Sequence, residues 1–194
     1  MIDSAELKAD IETLIVKAKS LGNIINTLLE ISKIDSGSKI KKQLLRIDEL
    51  IFDTIAELNI ISPDFYFEVN YTPKQFSESN LAIKANLSLI KQAFLNVLSN
   101  CLVYSDDAKA KILFDCTEPD KLKIIVSNSG TPINPDEEKF LFKHFFRGKN
   151  SQDKTGFGLG LILSKRILEI HDAKIQYSNP SPNLNVFEIT FPLS

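Results

Sequence analysis

Three glycines in seven residues, Thr155-Gly156-Phe157-Gly158-Leu159-Gly160-Leu161, run directly into an apolar helical pattern. Of the seven glycines in the chain, four fall between positions 148 and 160. Glycine at that density at a helix entrance means that a ligand, or another backbone, approaches closer than a Cβ would allow. A helix N-terminus also presents unpaired N–H groups and a positive dipole end, which makes phosphate the natural ligand. A flexible loop that merely precedes a helix is the alternative. The familiar nucleotide-binding turns do not fit, because the spacing is G-x-G-x-G and the preceding Lys149–Lys154 stretch is polar rather than strand-like. No G-x-x-x-x-G-K-[ST] occurs either. Phosphate held here would be held by a long lid hinged on glycines.

Composition narrows the classes. With 194 residues, 43 % hydrophobic and 25 % charged, the chain has room for one sizeable globular domain plus an extra element, or for two small domains. A net charge of −2, with no Lys/Arg cluster interleaved with aromatics, argues against nucleic acid as a partner. No apolar run approaches the length of a membrane span, and no signal-peptide pattern opens the chain. Cys101 and Cys116 read as reduced thiols of a cytosolic protein, and with His144 and His171 as the only histidines a zinc site is not expected.

Two hydrophobic periods divide the chain. Residues 3–36 read as one long helix, with Asp3 and Glu6 as a capping box and Gly37 as its stop. Leu7, Ile11, Leu14, Ala18, Leu21, Ile25 and Leu28 form a heptad seam that Ile15 and Leu29 widen. Such a seam calls for a partner, which an intermolecular bundle supplies more naturally than the helix's own domain. After Gly37 the periods alternate. Strands are expected at 41–47, 65–71, 81–85, 109–116, 121–128, 174–177 and 185–191, and helices at 47–58, 86–104, near 136–146 and at 159–171. This order suggests an α+β fold: a two-layer α/β sandwich with helices on one face of a mixed, mostly antiparallel sheet, preceded by the long helix.

Helix 86–104 is unexpectedly polar along one side. Ser88, Gln92, Asn96, Asn100 and Tyr104 follow at i+4 steps and share one row, opposite Leu87, Ile90, Phe94, Val97, Leu98 and Cys101. A solvated face would use Lys and Glu, whereas Asn is a poor helix interior residue. Two asparagines one turn apart point to amide oxygens aimed at a ligand or at a hard cation such as Mg²⁺. A polar surface row with no ligand is the alternative.

Together these segments resemble the catalytic ATP-binding domain of bacterial sensor histidine kinases, members of the GHKL ATPase superfamily. Leu89–Cys101 resembles the N box, Val126–Ile133 the first Gly box, Leu141–Gly148 the F box and Thr155–Leu161 the second Gly box. Helix 3–36, ending Leu28-Leu29-Glu30-Ile31-Ser32-Lys33-Ile34-Asp35-Ser36-Gly37, resembles the second helix of that family's dimerisation and phosphotransfer hairpin. The resemblance implies residues 1–37 as a partial dimerisation helix and 38–194 as the ATP-binding domain. It further implies ATP and Mg²⁺ as cofactors, with Asn100 as the Mg²⁺ ligand and Asn96 on the same wall. Asn128 would face the adenine amino group, with Gly130 giving the base close access. Phe145 would pin the lid to the core, and Arg147 would reach the phosphates. Tyr104, Ile133, Lys154, Thr155, Gly156, Gly158, Leu159, Gly160 and Leu161 would complete the nucleotide site.

Departures from the family pattern accompany the match. Asn128 stands where Asp is usual, Pro132 replaces the second glycine of the first Gly box, and Val103 occupies a position where a basic residue is common. An uncharged acceptor makes a weaker hydrogen bond. Neither histidine has a His-Glu context, so the phosphoacceptor histidine is expected outside this chain. The implied function is the ATP-binding catalytic portion of a cytoplasmic, or membrane-tethered, two-component kinase. Its expected partners are a second copy through helix 3–36, the phosphoacceptor helix of the full-length kinase and a response-regulator receiver domain. A degenerate module for dimerisation or docking, binding nucleotide weakly or not at all, is the second reading. A protein-serine kinase of the anti-sigma type is disfavoured by helix 3–36.

Overall fold

The structure is a computed structural model that describes residues 40–151, 154 and 157–193. Before them it describes Leu21, Gly22, Ile25, Asn26, Leu29 and Ser32. Residues 1–38 and 39–194 are two compact units, and each is taken by itself. In the first unit the six described residues are helical, and Leu21, Ile25 and Leu29 stand 57 %, 50 % and 53 % exposed. The expected ends of helix 3–36 and the remainder of its seam lie outside the described residues.

The second unit opens with β1 (Gln43–Arg46) and α1 (Ile47–Ile61). Asp48 in the first turn of α1 is buried and accepts two hydrogen bonds from the Arg46 guanidinium, at 2.9 and 2.8 Å. A carboxylate there also meets the positive end of the helix dipole. Next come β2 (Tyr66–Thr72), β3 (Ala82–Ala85), α2 (Leu87–Tyr104), β4 (Lys109–Asp115) and β5 (Lys121–Ser129). A one-turn α3 (Pro135–Glu138), α4 (Gly160–Glu169), β6 (Lys174–Ser178) and β7 (Leu184–Pro192) complete the unit. β1 pairs with β3, and the main sheet runs β2-β4-β5-β7-β6. Only β2 and β4 are parallel within it; the other pairings are antiparallel. That parallel pair requires the crossover that β3 and α2 provide. The fold is the expected two-layer α+β sandwich.

The sheet's two faces explain its strand patterns. Leu122, Ile124, Val126 and Asn128 of β5 are buried, as are Asn185, Phe187, Ile189 and Phe191 of β7, while the residues between them are half-exposed. Ile90, Phe94, Val97, Leu98 and Cys101 of α2 and Ile162, Leu163, Ile167 and Leu168 of α4 are buried as well. Asn86 caps α2 by accepting from the Leu89 N–H at 3.1 Å.

Three expectations need correction. Leu87, placed on the apolar side, is 49 % exposed at the helix start. The helix near 136–146 stops at Glu138, after which i→i−3 bonds at Phe140, Leu141 and Lys143 replace it with turns. Leu87–Tyr104 is long and apolar enough, by length and composition, to cross a membrane. Its apolar residues are the core face of α2, and its polar row belongs to the site described below.

His171 ties the two main helices together. It follows α4, and its Nε2 accepts the Asn86 N–H at 3.0 Å while Nδ1 lies 2.6 Å from the Ile167 carbonyl. Nδ1 therefore carries the proton, and both contacts need a neutral ring. Burial holds the ring's pKa below its ordinary value, with Lys42 pushing the same way and Asp172 opposing. The unfolded chain takes up a proton near the ordinary value of about 6.5 while the native ring resists it. Stability should therefore fall as pH drops through about 6.5, and level off below the lowered native value. Urea midpoints measured from about pH 8 to about pH 5 should show this fall, and His171→Gln, which still accepts from Asn86, should lack that component.

Candidate functional site

The polar row of α2 meets both glycine segments. Asn96 Nδ2 donates to the Gly160 carbonyl at 3.2 Å, and Asn96 Oδ1 accepts from Gln92 at 3.2 Å. The Ser164 hydroxyl lies 3.0 Å from the same Gly160 carbonyl and 3.1 Å from that of Ala93. Both ends of the Asn96 amide are thus committed to fixing the start of α4 against α2. Two turns on, the Tyr104 carbonyl abuts Gly130, whose φ is +153°; a Cβ there would collide with the carbonyl oxygen. Asn100 sits midway on the same row. It is half-buried, and its amide makes no hydrogen bond among the described residues.

The floor of the site is the end of β5. Asn128 is buried at 5 % exposure, and its Nδ2 donates to the Ser129 carbonyl at 2.9 Å. Its Oδ1 accepts nothing among the described residues. Gly130 donates to the Asn183 carbonyl at 2.9 Å and accepts from Asn185 Nδ2 at 3.1 Å. The Ile133 N–H donates to the Tyr177 hydroxyl at 3.1 Å.

The lid segment departs from expectation in two places. Phe145, expected to pin the lid, is 60 % exposed with φ +60°, and Phe146 instead packs on Phe140 with ring centroids 6.0 Å apart. Gly158, at φ +67°, lies so close to the Phe145–Phe146 backbone that a Cβ there would collide with it. Arg147, expected to reach phosphate, donates to the Ser151 carbonyl and, at 2.5 Å, to the Lys154 carbonyl. It braces the lid's own backbone. Asn150 joins the lid to the first glycine segment by donating to the Thr131 carbonyl at 3.1 Å. Leu159 is buried, Leu161 half-buried and Lys154 exposed, while Thr155 and Gly156 lie outside the described residues.

Other chemistry is thin. No cluster of three or more His, Cys, Asp or Glu that could hold a metal occurs among the described residues. Cys101 and Cys116 are free and buried, and burial pushes the Cys101 thiol up to about 12, the behaviour of a core residue and not of a nucleophile. An open cavity of about 430 Å³, lined by Leu44, Arg46, Glu49, Asp53, Ala82 and Leu87 among others, shares no residue with this site. Gln92 and Ser164 went unremarked as partners in the sequence, although their i,i+4 spacing from Asn96 and Gly160 was a usable signal. Tyr177, Asn150 and Asn185 left none.

A conserved-family profile described as histidine kinase-, DNA gyrase B- and HSP90-like ATPase matches residues 85–194, more than half of the chain. The chain belongs to this ATPase family. Among proteins similar to it is the sensor-like histidine kinase SenX3 of Mycobacterium tuberculosis, 23 % identical over 193 residues, 98 % of this chain and 46 % of the relative. The chain thus spans less than half the length of that relative. The catalytic domain of the histidine kinase ThkA matches with a TM-score of 0.64 at 26 % identity, over 79 % of this chain and 99 % of that one. ThkA in complex with the response regulator TrrA matches with a TM-score of 0.72 at 21 % identity, over 100 % of this chain and 53 % of that one. The match to this ATPase family, together with kinase relatives, makes the chain a catalytic ATP-binding domain of the sensor histidine kinase kind.

Proposed function

We propose that residues 38–194 bind Mg²⁺-ATP and transfer its γ-phosphoryl group to a nitrogen of a histidine outside this chain, releasing ADP. The observation that carries the reading is the α2 row: Asn96 is tied to the start of α4, Tyr104 to the Gly130 turn, and Asn100 between them presents an amide with no hydrogen bond among the described residues. These residues fit the absent groups. Asn100 offers one neutral oxygen, and Mg²⁺ commonly takes few protein ligands because phosphate oxygens and water complete its octahedron. Bound there, the ion would neutralise charge on the phosphates. The N–H groups opening α4 would receive phosphate oxygens. Asn128 Oδ1 would accept from the adenine amino group, and Gly130 would let the base lie close. Arg147, by bracing the lid, would set how far the lid closes and excludes water.

By this reading residues 1–37 supply one helix of a dimerisation bundle, through which two copies associate. The apolar exposure of Leu21, Ile25 and Leu29 supports it. The partners are the receiver domain of a response regulator, the kind of protein with which ThkA is in complex, and the phosphoacceptor helix of the full-length kinase. The setting is cytoplasmic, where ATP is available.

Calorimetric titration with Mg²⁺-ATP and Mg²⁺-ADP tests the core of the reading. Binding with a thermal shift is expected, and the absence of both at millimolar-scale nucleotide would favour the docking-module reading. The chain should not label itself at an acid-labile site with phosphate from ATP, but should label a supplied bundle carrying the acceptor histidine. Acid-labile phosphate on His144 or His171 would overturn this assignment of the acceptor.

A further inference from the structure

β2 is an outer strand of the main sheet and reads Tyr66-Phe67-Glu68-Val69-Asn70-Tyr71-Thr72. The Tyr66 N–H donates to the Ala108 carbonyl at 3.0 Å, and the Thr72 carbonyl accepts from the Cys116 N–H at 2.7 Å. Backbone groups alternate in direction along an extended strand, so Tyr66, Glu68, Asn70 and Thr72 turn theirs toward β4. Those of Phe67, Val69 and Tyr71 turn to the outer edge, where they have no partner among the described residues. Such an edge is a template for another strand. This one is also close to symmetric about Val69. A second copy laid antiparallel, Val69 against Val69, would set Phe67 against Tyr71 and Glu68 against Asn70, with no like charges opposed. Asn70 Nδ2 already donates to Glu68 Oε1 within the strand, at 2.9 Å, the contact that such a pairing would make between copies.

One side chain stands in the way. Tyr71 lies opposite Phe114 of β4, with ring centroids 5.0 Å apart and planes 13° apart. Its other face carries Phe76, at 5.2 Å and 15°. Both spacings are close to the separation of neighbouring strands, about 4.7–4.9 Å. Phe76 thus fills the place that Phe67 of a second copy would take. It is half-exposed, in the otherwise polar connection Pro73-Lys74-Gln75-Phe76-Ser77-Glu78-Ser79-Asn80. We propose that Phe76 is an edge guard: stacked on Tyr71, it keeps β2 of one copy from pairing with β2 of another. Folded proteins cover an open sheet edge in this way because an uncovered one joins sheet to sheet. The guard leaves association to other surfaces of the chain.

The test mixes full chains carrying Glu68→Cys with full chains carrying Asn70→Cys. Copper(II)–phenanthroline is the oxidant, so that two thiols lose their protons and two electrons to copper and become one disulfide. Peptide mapping reads the 68-to-70 linkage, which association through any other surface does not produce. With Phe76 in place the mixture should form little of it. With Phe76→Ser in both chains it should form about tenfold more, on the scale of one lost aromatic pair. Adding Val69→Pro should remove the gain, because the Val69 N–H faces outward and proline is tolerated at such an edge position. Phe76→Gln serves if Phe76→Ser does not fold by circular dichroism. No gain of the 68-to-70 disulfide in a folded Phe76 variant overturns the proposal, as does equal cross-linking with Phe76 in place.

Discussion

Asn100→Ala should abolish Mg²⁺-dependent nucleotide binding and leave the fold's stability equal or slightly higher. The amide makes no hydrogen bond among the described residues, so its removal strands none of them. Alanine is also the better helix former, by up to about 0.7 kcal/mol. The loss should appear only in binding, on the order of a hundredfold or more, since even outer-shell partners of a metal cost about 10–100-fold when removed. Asn96→Ala, one turn earlier, should show the opposite pattern. It removes the 3.2 Å bonds to Gly160 and from Gln92, each worth about 1 kcal/mol, so its melting temperature should fall. Calorimetry and thermal melts on the two variants side by side check the division. Equal melting temperatures would mean that the two asparagines do not differ as the geometry says.

Gly130→Ala should be the most damaging small substitution in the site. The added Cβ would strike the Tyr104 carbonyl, a backbone group at the end of α2 that cannot swing aside, at a φ of +153° that side chains rarely adopt. Overpacking of this kind costs about 1–3 kcal/mol, and for a domain of this size each kcal/mol lowers the melting temperature by roughly 2–4 °C. Gly158→Ala meets the same obstacle in the lid, where the Cβ would enter the Phe145–Phe146 backbone at φ +67°. Gly160→Ala is the control. Its Cβ would sit 3.5 Å from the Asn96 side chain, an ordinary contact, and should be tolerated. Thermal melts of the three variants should therefore separate Gly130 and Gly158 from Gly160. A Gly130→Ala chain that melts with the wild type would mean that the turn does not approach α2 as described.

Much of this was legible in the sequence for a physical reason. Alternation at 65–71 or 121–128, and the i+4 row from Ser88 to Tyr104, follow from residue-level sterics and the need to bury one face, both of which act over a few positions. The helix start near Asn86 and the glycine run at the entrance of α4 are equally local. The four motif segments, and with them the family, could be found without coordinates. By itself the sequence determined the elements, their order and the residue types offered to a ligand.

The tertiary structure decided what each of those residues does. Asn96 and Asn100 are alike in sequence, yet one is spent on a carbonyl 64 positions away while the other makes no hydrogen bond among the described residues. Phe145 and Arg147 match their motif, but the ring stands exposed and the loop's own carbonyls take the guanidinium. Tyr177 and Asn185 carried no signal at all. They meet the Gly130–Ile133 turn only because β6, β7 and β5 lie side by side, which brings Ile133 within 3.1 Å of a hydroxyl 44 positions later in the chain. Local sterics are read residue by residue, but a hydrogen-bond partner is settled only when the sheet order places distant backbone and side chains within about 3 Å of each other.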